Sequence, residues 1–162
     1  MYLNSQIKNL ITILNKKKLK ISVAESCSGG LISYNLTKVA GASKYFVMGI
    51  VCYSNSSKIK ILKVKKSTLM KYGSVSLETC NEMCKNLLKI SKSNIAISIT
   101  GIAGPGGGSI KKPIGLVYIG IASKNKIEIT KLIFNKKLSR INIQQKTLKS
   151  TVKLIKDHIT FL

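Results

Sequence analysis

The chain has 162 residues, 44% hydrophobic and 20% charged, a length and balance that suit one globular domain and lie far from a disordered composition. Lys and Arg total 28 against 5 Asp and Glu, a formal net charge of +23, which favours encounter with phosphorylated partners and with polyanions generally. No apolar run approaches the roughly 20 residues that span a bilayer, and the opening MYLNSQIKNLITIL interrupts its apolar positions with Asn, Gln and Lys, so neither membrane insertion nor export is expected and a cytoplasmic protein is.

In chain order, Leu3, Ile7, Leu10, Ile11 and Leu14 fall at helical spacing and predict an amphipathic helix over 3–18, closed by a lysine run suited to a helix C-terminus. Lys20 to Ala24 reads as a strand, and Gly29-Gly30 opens a second helix carrying Leu31, Ile32 and Leu36, so Glu25, Ser26, Cys27 and Ser28 fall on a strand-to-helix turn. Tyr45 to Tyr53 is a second β-prone run that feeds Ser54-Asn55, a natural helix start. Short helices are predicted over 56–62 and 66–72, and a longer one over 77–91 after Ser76. Asn94 to Ile99 is a buried strand leading into the glycine-rich loop Thr100 to Ser109. Strands over 114–122 and 127–134 meet at a Lys124-Asn125 turn, and Ile141, Leu148, Val152 and Ile155 give a closing helix. Helices at both ends of a set of buried strands predict an α/β fold: a single-domain three-layer α/β/α sandwich with a mixed sheet, spanning 1–162.

Four cysteines without a Cys-x-x-Cys pair, and the single histidine His158, favour small buried thiols over a disulfide or zinc site. The basic excess is lysine except for Arg140. Specific base and planar phosphate recognition leans on the arginine fork, so no specific nucleic-acid partner is expected from charge alone.

Ser26 follows a strand and precedes a glycine pair, where a hydroxyl can stand exposed beside unpaired backbone N–H groups able to hold an oxyanion. It needs a base. His158 lies near the other end of the chain and nothing in the sequence brings it to Ser26. The segment Tyr53-Ser54-Asn55-Ser56-Ser57-Lys58 offers Lys58 and Tyr53 instead, because a desolvated lysine loses its proton more readily. Glu25 serves either as a helix N-terminal charge or as a hydrogen-bond partner that orients the site. The loop from Gly101 to Ser109 has the composition of a phosphate cradle but lacks the Gly-Lys-Ser or Gly-Lys-Thr ending of a P-loop.

Ala24-Glu25-Ser26-Cys27-Ser28-Gly29-Gly30, Tyr53-Ser54-Asn55, Tyr72-Gly73-Ser74-Val75-Ser76 and Thr100-Gly101-Ile102-Ala103-Gly104-Pro105 occur together in this order. In these four motifs the chain resembles the nicotinamide-nucleotide amidohydrolase family, also described as the C-terminal domain of the competence/damage-inducible protein CinA. The resemblance runs from about residue 5 to 155. It implies metal-free and cofactor-free hydrolysis of the carboxamide of nicotinamide mononucleotide, in a homo-oligomer, often a dimer, and the stand-alone form of the domain. By motif, Ser26 becomes the nucleophile, Lys58 the base and Tyr53 a hydrogen-bonding partner. Gly29 and Gly30 would lie beside the oxyanion, with Glu25, Ser28 and Asn55 close by, and with Thr100, Gly101, Ala103, Gly104, Ser109 and Arg140 toward the mononucleotide. The chain departs from the family pattern at Gly106, Ile110 and Lys111, and at Gln144, which stands where the family tends to carry a second arginine. The competing readings are a Ser-Lys hydrolase of another amide and a catalytically decayed basic binding module.

Overall fold

The structure, a computed structural model describing residues 2–162, runs α1 (Tyr2–Lys16), β1 (Ile21–Glu25), α2 (Leu31–Thr37), a 3-10 turn (Ala42–Lys44), β2 (Phe46–Val51), α3 (Asn55–Lys60), α4 (Lys66–Tyr72), α5 (Leu77–Ser91), β3 (Ile95–Gly101), β4 (Leu116–Ser123), β5 (Lys126–Ile133) and α6 (Arg140–Ile159). One sheet of order β2-β1-β3-β4-β5 forms. β1 pairs parallel with β2 and β3, and β3-β4 and β4-β5 pair antiparallel, which is the expected mixed sheet between two helical layers.

Period-two alternation assigns the layers. Ile21, Val23, Ile95, Ile97, Ile99, Val117, Ile119 and Ile121 face one side, where they pack with Leu10 and Leu14 of α1, Ile32 and Leu36 of α2, and Val152 and Ile155 of α6. The opposite side carries small residues: Ala24, Ala96 and Ala122 meet Met83, Cys84 and Leu87 of α5. Small side chains let α5 lie close enough for the Cys84 thiol to reach the Ala96 carbonyl at 3.1 Å, and for Ser98 Oγ to donate to the Cys80 carbonyl at 2.8 Å. All four cysteines are buried and free.

Several predicted boundaries move by one or two residues: β3 runs on through Thr100 and Gly101, which the sequence alone assigns to the glycine loop, and α3 ends at Lys60; four other shifts have a local reason. The first helix ends at Lys16, because Lys18 turns into the left-handed region (φ 53). β1 runs one residue further than expected, through Glu25, which pairs with Val51 and Ile99. The second strand is shorter than 45–53: Tyr45 follows the 3-10 turn, and Ser54 caps α3. β4 starts at Leu116, not Ile114, because Gly115 has φ 90 and holds the chain against Phe134. A Cβ there would lie 2.2 Å from the Phe134 carbonyl oxygen. Gly115→Ala is therefore expected to cost about 1–3 kcal/mol, read as a lower urea midpoint; an unchanged midpoint would remove this glycine's role.

β1 lies between β2 and β3, yet the chain leaves β1 through α2 on one face and enters β3 from α5 on the other. Connections that diverge from the carboxyl end of a central strand leave a crevice there, the usual ligand position in open α/β sheets. The turn after Glu25, the end of β2 and the loop after β3 all open into it. His158 sits at the opposite end of the sheet, bonded through Nδ1 to Glu128 (2.6 Å) and through Nε2 to Ser123 (3.0 Å), beside the start of β3.

Candidate active site

A cleft of about 400 Å³ occupies this crevice, walled by Ser26, Cys27, Tyr53, Lys58, residues 73–75, Thr100 to Gly104, Gly106, Gly107, Ser109, Lys112 and Arg140. At its floor Lys58 Nζ lies 3.0 Å from Ser26 Oγ. Thirty-two positions separate the two residues, and the parallel pairing of Glu25 with Val51 closes that gap. Each strand ends at the same level, so the residue after β1 faces the segment after β2.

The start of α3 delivers the lysine. Ser54 caps the helix reciprocally with Ser57, each hydroxyl accepting from the other's backbone N–H. Side chains of a helix lean toward its N-terminus, and Lys58, in the first turn and a half, reaches back to donate to the carbonyls of Cys52 (2.9 Å) and Tyr53 (3.5 Å). It is 1% exposed, and the ion pairs among the described residues, Lys126–Glu128 and His158–Glu128, do not involve it. Burial pulls its ammonium below the usual lysine range, with the Cys52 and Cys27 thiols opposing only in part. A neutral amine held by two carbonyls turns its lone pair toward the third neighbour, the Ser26 hydroxyl, so the same contact can run in the reverse direction, hydroxyl to amine.

Cys27 adjoins the serine and also lines the cleft, but burial pushes its thiol up to about 12. The thiolate is the reactive form of cysteine. Iodoacetamide at pH 8 is accordingly expected to leave Cys27 unmodified in the folded chain while alkylating it in urea, as peptide mass spectrometry would show; rapid labelling of folded Cys27 would contradict that environment.

Glu25 is fully buried and faces away from the cleft. Its Oε2 accepts from the N–H groups of Gly30 (3.0 Å) and Ile32 (3.1 Å), and its Oε1 from Ser33 N–H (2.8 Å) and Oγ (2.7 Å). The carboxylate thus satisfies the first turn of α2 and anchors the turn carrying Ser26. Gly29 and Gly30 adopt φ 63 and 96, which glycine accommodates at least strain. Gly29 N–H donates to the Ser26 carbonyl at 3.1 Å, so both glycine donors are already engaged. The Ser28 side chain is buried and that of Asn55 is exposed at the start of α3, and neither side chain lines the cleft.

Among the remaining sequence-selected residues, Thr100, Gly101, Ala103, Gly104, Ser109, Arg140 and Tyr53 all border the cleft. Arg140 opens α6 and spans the mouth, donating to the Gly104 carbonyl (3.0 Å) and the Tyr53 hydroxyl (2.8 Å). Tyr53 therefore meets Lys58 through its backbone and Arg140 through its phenol. Thr100 Oγ1 donates to the Ser74 carbonyl at 2.7 Å, which draws in residues 73–75, a wall sequence reasoning did not assign to the site. Lys112 was also missed; its Nζ donates to the Tyr72 carbonyl and places a second cation near Arg140's cleft.

The family model described as the CinA C-terminal domain matches residues 3–159. A CinA-like protein of Fusobacterium nucleatum is 55% identical over 118 residues, covering 73% of this chain and 28% of that protein. One of Endomicrobium trichonymphae is 47% identical over 144 residues, covering 89% and 33%. The chain spans about a third of the length of the curated relatives it matches. Among solved structures, the competence/damage inducible protein CihA from Agrobacterium tumefaciens superposes with a TM-score of 0.92 at 35% identity, covering 96% of this chain and 94% of that one. A CinA superfamily protein from Klebsiella pneumoniae reaches 0.93 at 24% identity with 99% of each chain covered, a likeness of fold alone.

Proposed function

The chain belongs to the CinA C-terminal domain family, and from that premise we propose that it hydrolyses the carboxamide of nicotinamide mononucleotide to nicotinate mononucleotide and ammonia through a Ser26–Lys58 dyad. The observation that carries this reading is the buried Lys58 amine, without a carboxylate partner, at 3.0 Å from Ser26 Oγ. Keeping a lysine buried and unpaired is unfavourable for folding, and a depressed pKa beside a hydroxyl is what a general base requires.

In the proposed reaction, Lys58 takes the Ser26 proton as Oγ bonds to the carboxamide carbon. The tetrahedral oxyanion then faces the turn after Ser26, where the engaged Gly29 and Gly30 leave the N–H groups of Cys27 and Ser28 as donors. Collapse breaks the C–N bond, and the Lys58 ammonium gives its proton to the departing nitrogen, releasing ammonia. Water, deprotonated by Lys58, attacks the acyl ester; the ester bond to Oγ breaks and Ser26 recovers its proton. The reaction draws on protein groups and water only.

Arg140, Lys112 and the glycine loop would receive the phosphate, and a volume of about 400 Å³ falls in the range of small-ligand sites. The test is a comparison of nicotinamide mononucleotide, nicotinamide riboside and nicotinamide as substrates. The reading expects kcat/KM to fall at least tenfold when the phosphate is removed, and further when the ribose is lost. Equal rates on all three, or preference for an unrelated amide, would reassign the substrate while leaving the dyad in place.

A further inference from the structure

Gln144 holds the serine turn from across the molecule. It lies one helical turn after Arg140 on α6, and its Nε2 donates to the Cys27 carbonyl at 2.8 Å, 117 positions away in sequence. It does not border the cleft. The ties on the segment 26–30 include the Glu25 carboxylate on Gly30 N–H, the Ser26 carbonyl on Gly29 N–H, Leu31 N–H on the Ser28 carbonyl, Lys58 on the Ser26 hydroxyl, and Gln144 on the Cys27 carbonyl. Of these only the last joins a backbone group of the segment to an element remote in sequence.

A trans peptide is planar, and its C=O and N–H point in opposite directions. Holding the Cys27 carbonyl toward α6 consequently aims the Ser28 N–H away from α6. In the reaction proposed above, that N–H is one of the two donors offered to the oxyanion. We propose that Gln144 is a positioning residue for the amidohydrolase reaction: it acts through the Cys27–Ser28 peptide and makes no contact with substrate. This inference rests on the Ser26 reading above. Arg140 and Gln144, at i and i+4, then divide the work of one helix face, Gln144 setting the nucleophile turn and Arg140 bridging the mouth.

The experiment compares native chain, Gln144→Leu, Gln144→Lys and, as a control on the adjoining exposed position, Gln145→Leu, each checked for folding by its thermal melt. Loss of an oriented oxyanion donor is worth roughly 100-fold in kcat, and misorientation should cost a large part of that. The expected result for Gln144→Leu is a kcat at least tenfold lower with KM changed less than threefold. Gln144→Lys, which keeps an N–H donor, should recover most of the rate, and Gln145→Leu should match native. An unchanged kcat, or a rise in KM alone, would overturn the positioning role.

A second readout separates this failure from failure of the substrate assignment: the rate at which a fluorophosphonate labels Ser26, followed by intact mass. Slower labelling in Gln144→Leu but not in Gln145→Leu upholds the inference even if nicotinamide mononucleotide is not the substrate. Equal labelling rates overturn it, and a native chain that takes no label removes the Ser26 reading and this inference with it.

Discussion

Replacing Ser26 by alanine is expected to abolish ammonia release, lowering kcat by roughly 10⁴-fold or more, while nicotinamide mononucleotide still binds with a Kd within a few-fold of native. The hydroxyl supplies the bond that forms in the reaction, whereas ground-state binding is assigned to Arg140, Lys112 and the glycine loop, none of which the substitution touches. An interaction made only on the way to the transition state is lost from kcat and not from affinity. Ser26 is 8% exposed at the cleft floor, and alanine fits its space without strain, so the variant should melt like native. Calorimetric titration beside the ammonia assay would show the split. Parallel loss of binding and turnover would instead make Ser26 a substrate-holding residue.

Replacing Lys58 by methionine is expected to lower kcat/KM by roughly a hundredfold or more, and its second signature is in the pH dependence. In native chain kcat/KM should rise with pH as Lys58 loses its proton, at a pH below the usual lysine range because burial disfavours the ammonium. The variant should lack that rise. Stability follows the same ionisation. Lys58 has a lower pKa folded than unfolded, so between the two values the unfolded chain holds more protons and folding stability increases with pH. Below the folded pKa the buried ammonium is a full burden, which methionine does not carry. The difference in melting temperature between Lys58→Met and native should therefore move in the native chain's favour as pH rises toward the ordinary lysine range. A difference that stays flat across that interval would mean that Lys58 titrates normally.

Most of the fold was legible because the periodicities were unambiguous. Ile95, Ile97 and Ile99 alternate with Ala96 and Ser98, and that alternation alone separates a thick helical interface from the thin one under α5. Boundaries slipped where backbone conformation outweighed apolar content, as at Gly115 and Lys18. The site was legible only in pieces. Ser26 stands out from its turn, but Lys58 is one cation among 28 and nothing local distinguishes it; its partner is set by strand register, which no spacing rule encodes. Family resemblance singled it out. Glu25 stands beside the nucleophile in sequence, yet a strand alternates its side chains, so its carboxylate turns to α2 while the next residue faces the cleft. The bonds from Gln144 to Cys27 and from Thr100 to Ser74 were beyond reach for the same reason: each joins segments that meet only once the sheet is assembled.

One reaction at one serine underlies the proposed function, and its most direct measurement is ammonia release from nicotinamide mononucleotide by the folded native chain and by Ser26→Ala side by side. Ammonia and nicotinate mononucleotide are expected in equal amounts from the native chain, and neither from the variant. No release from a native chain with a cooperative melt, or equal release from both, would contradict the proposed function.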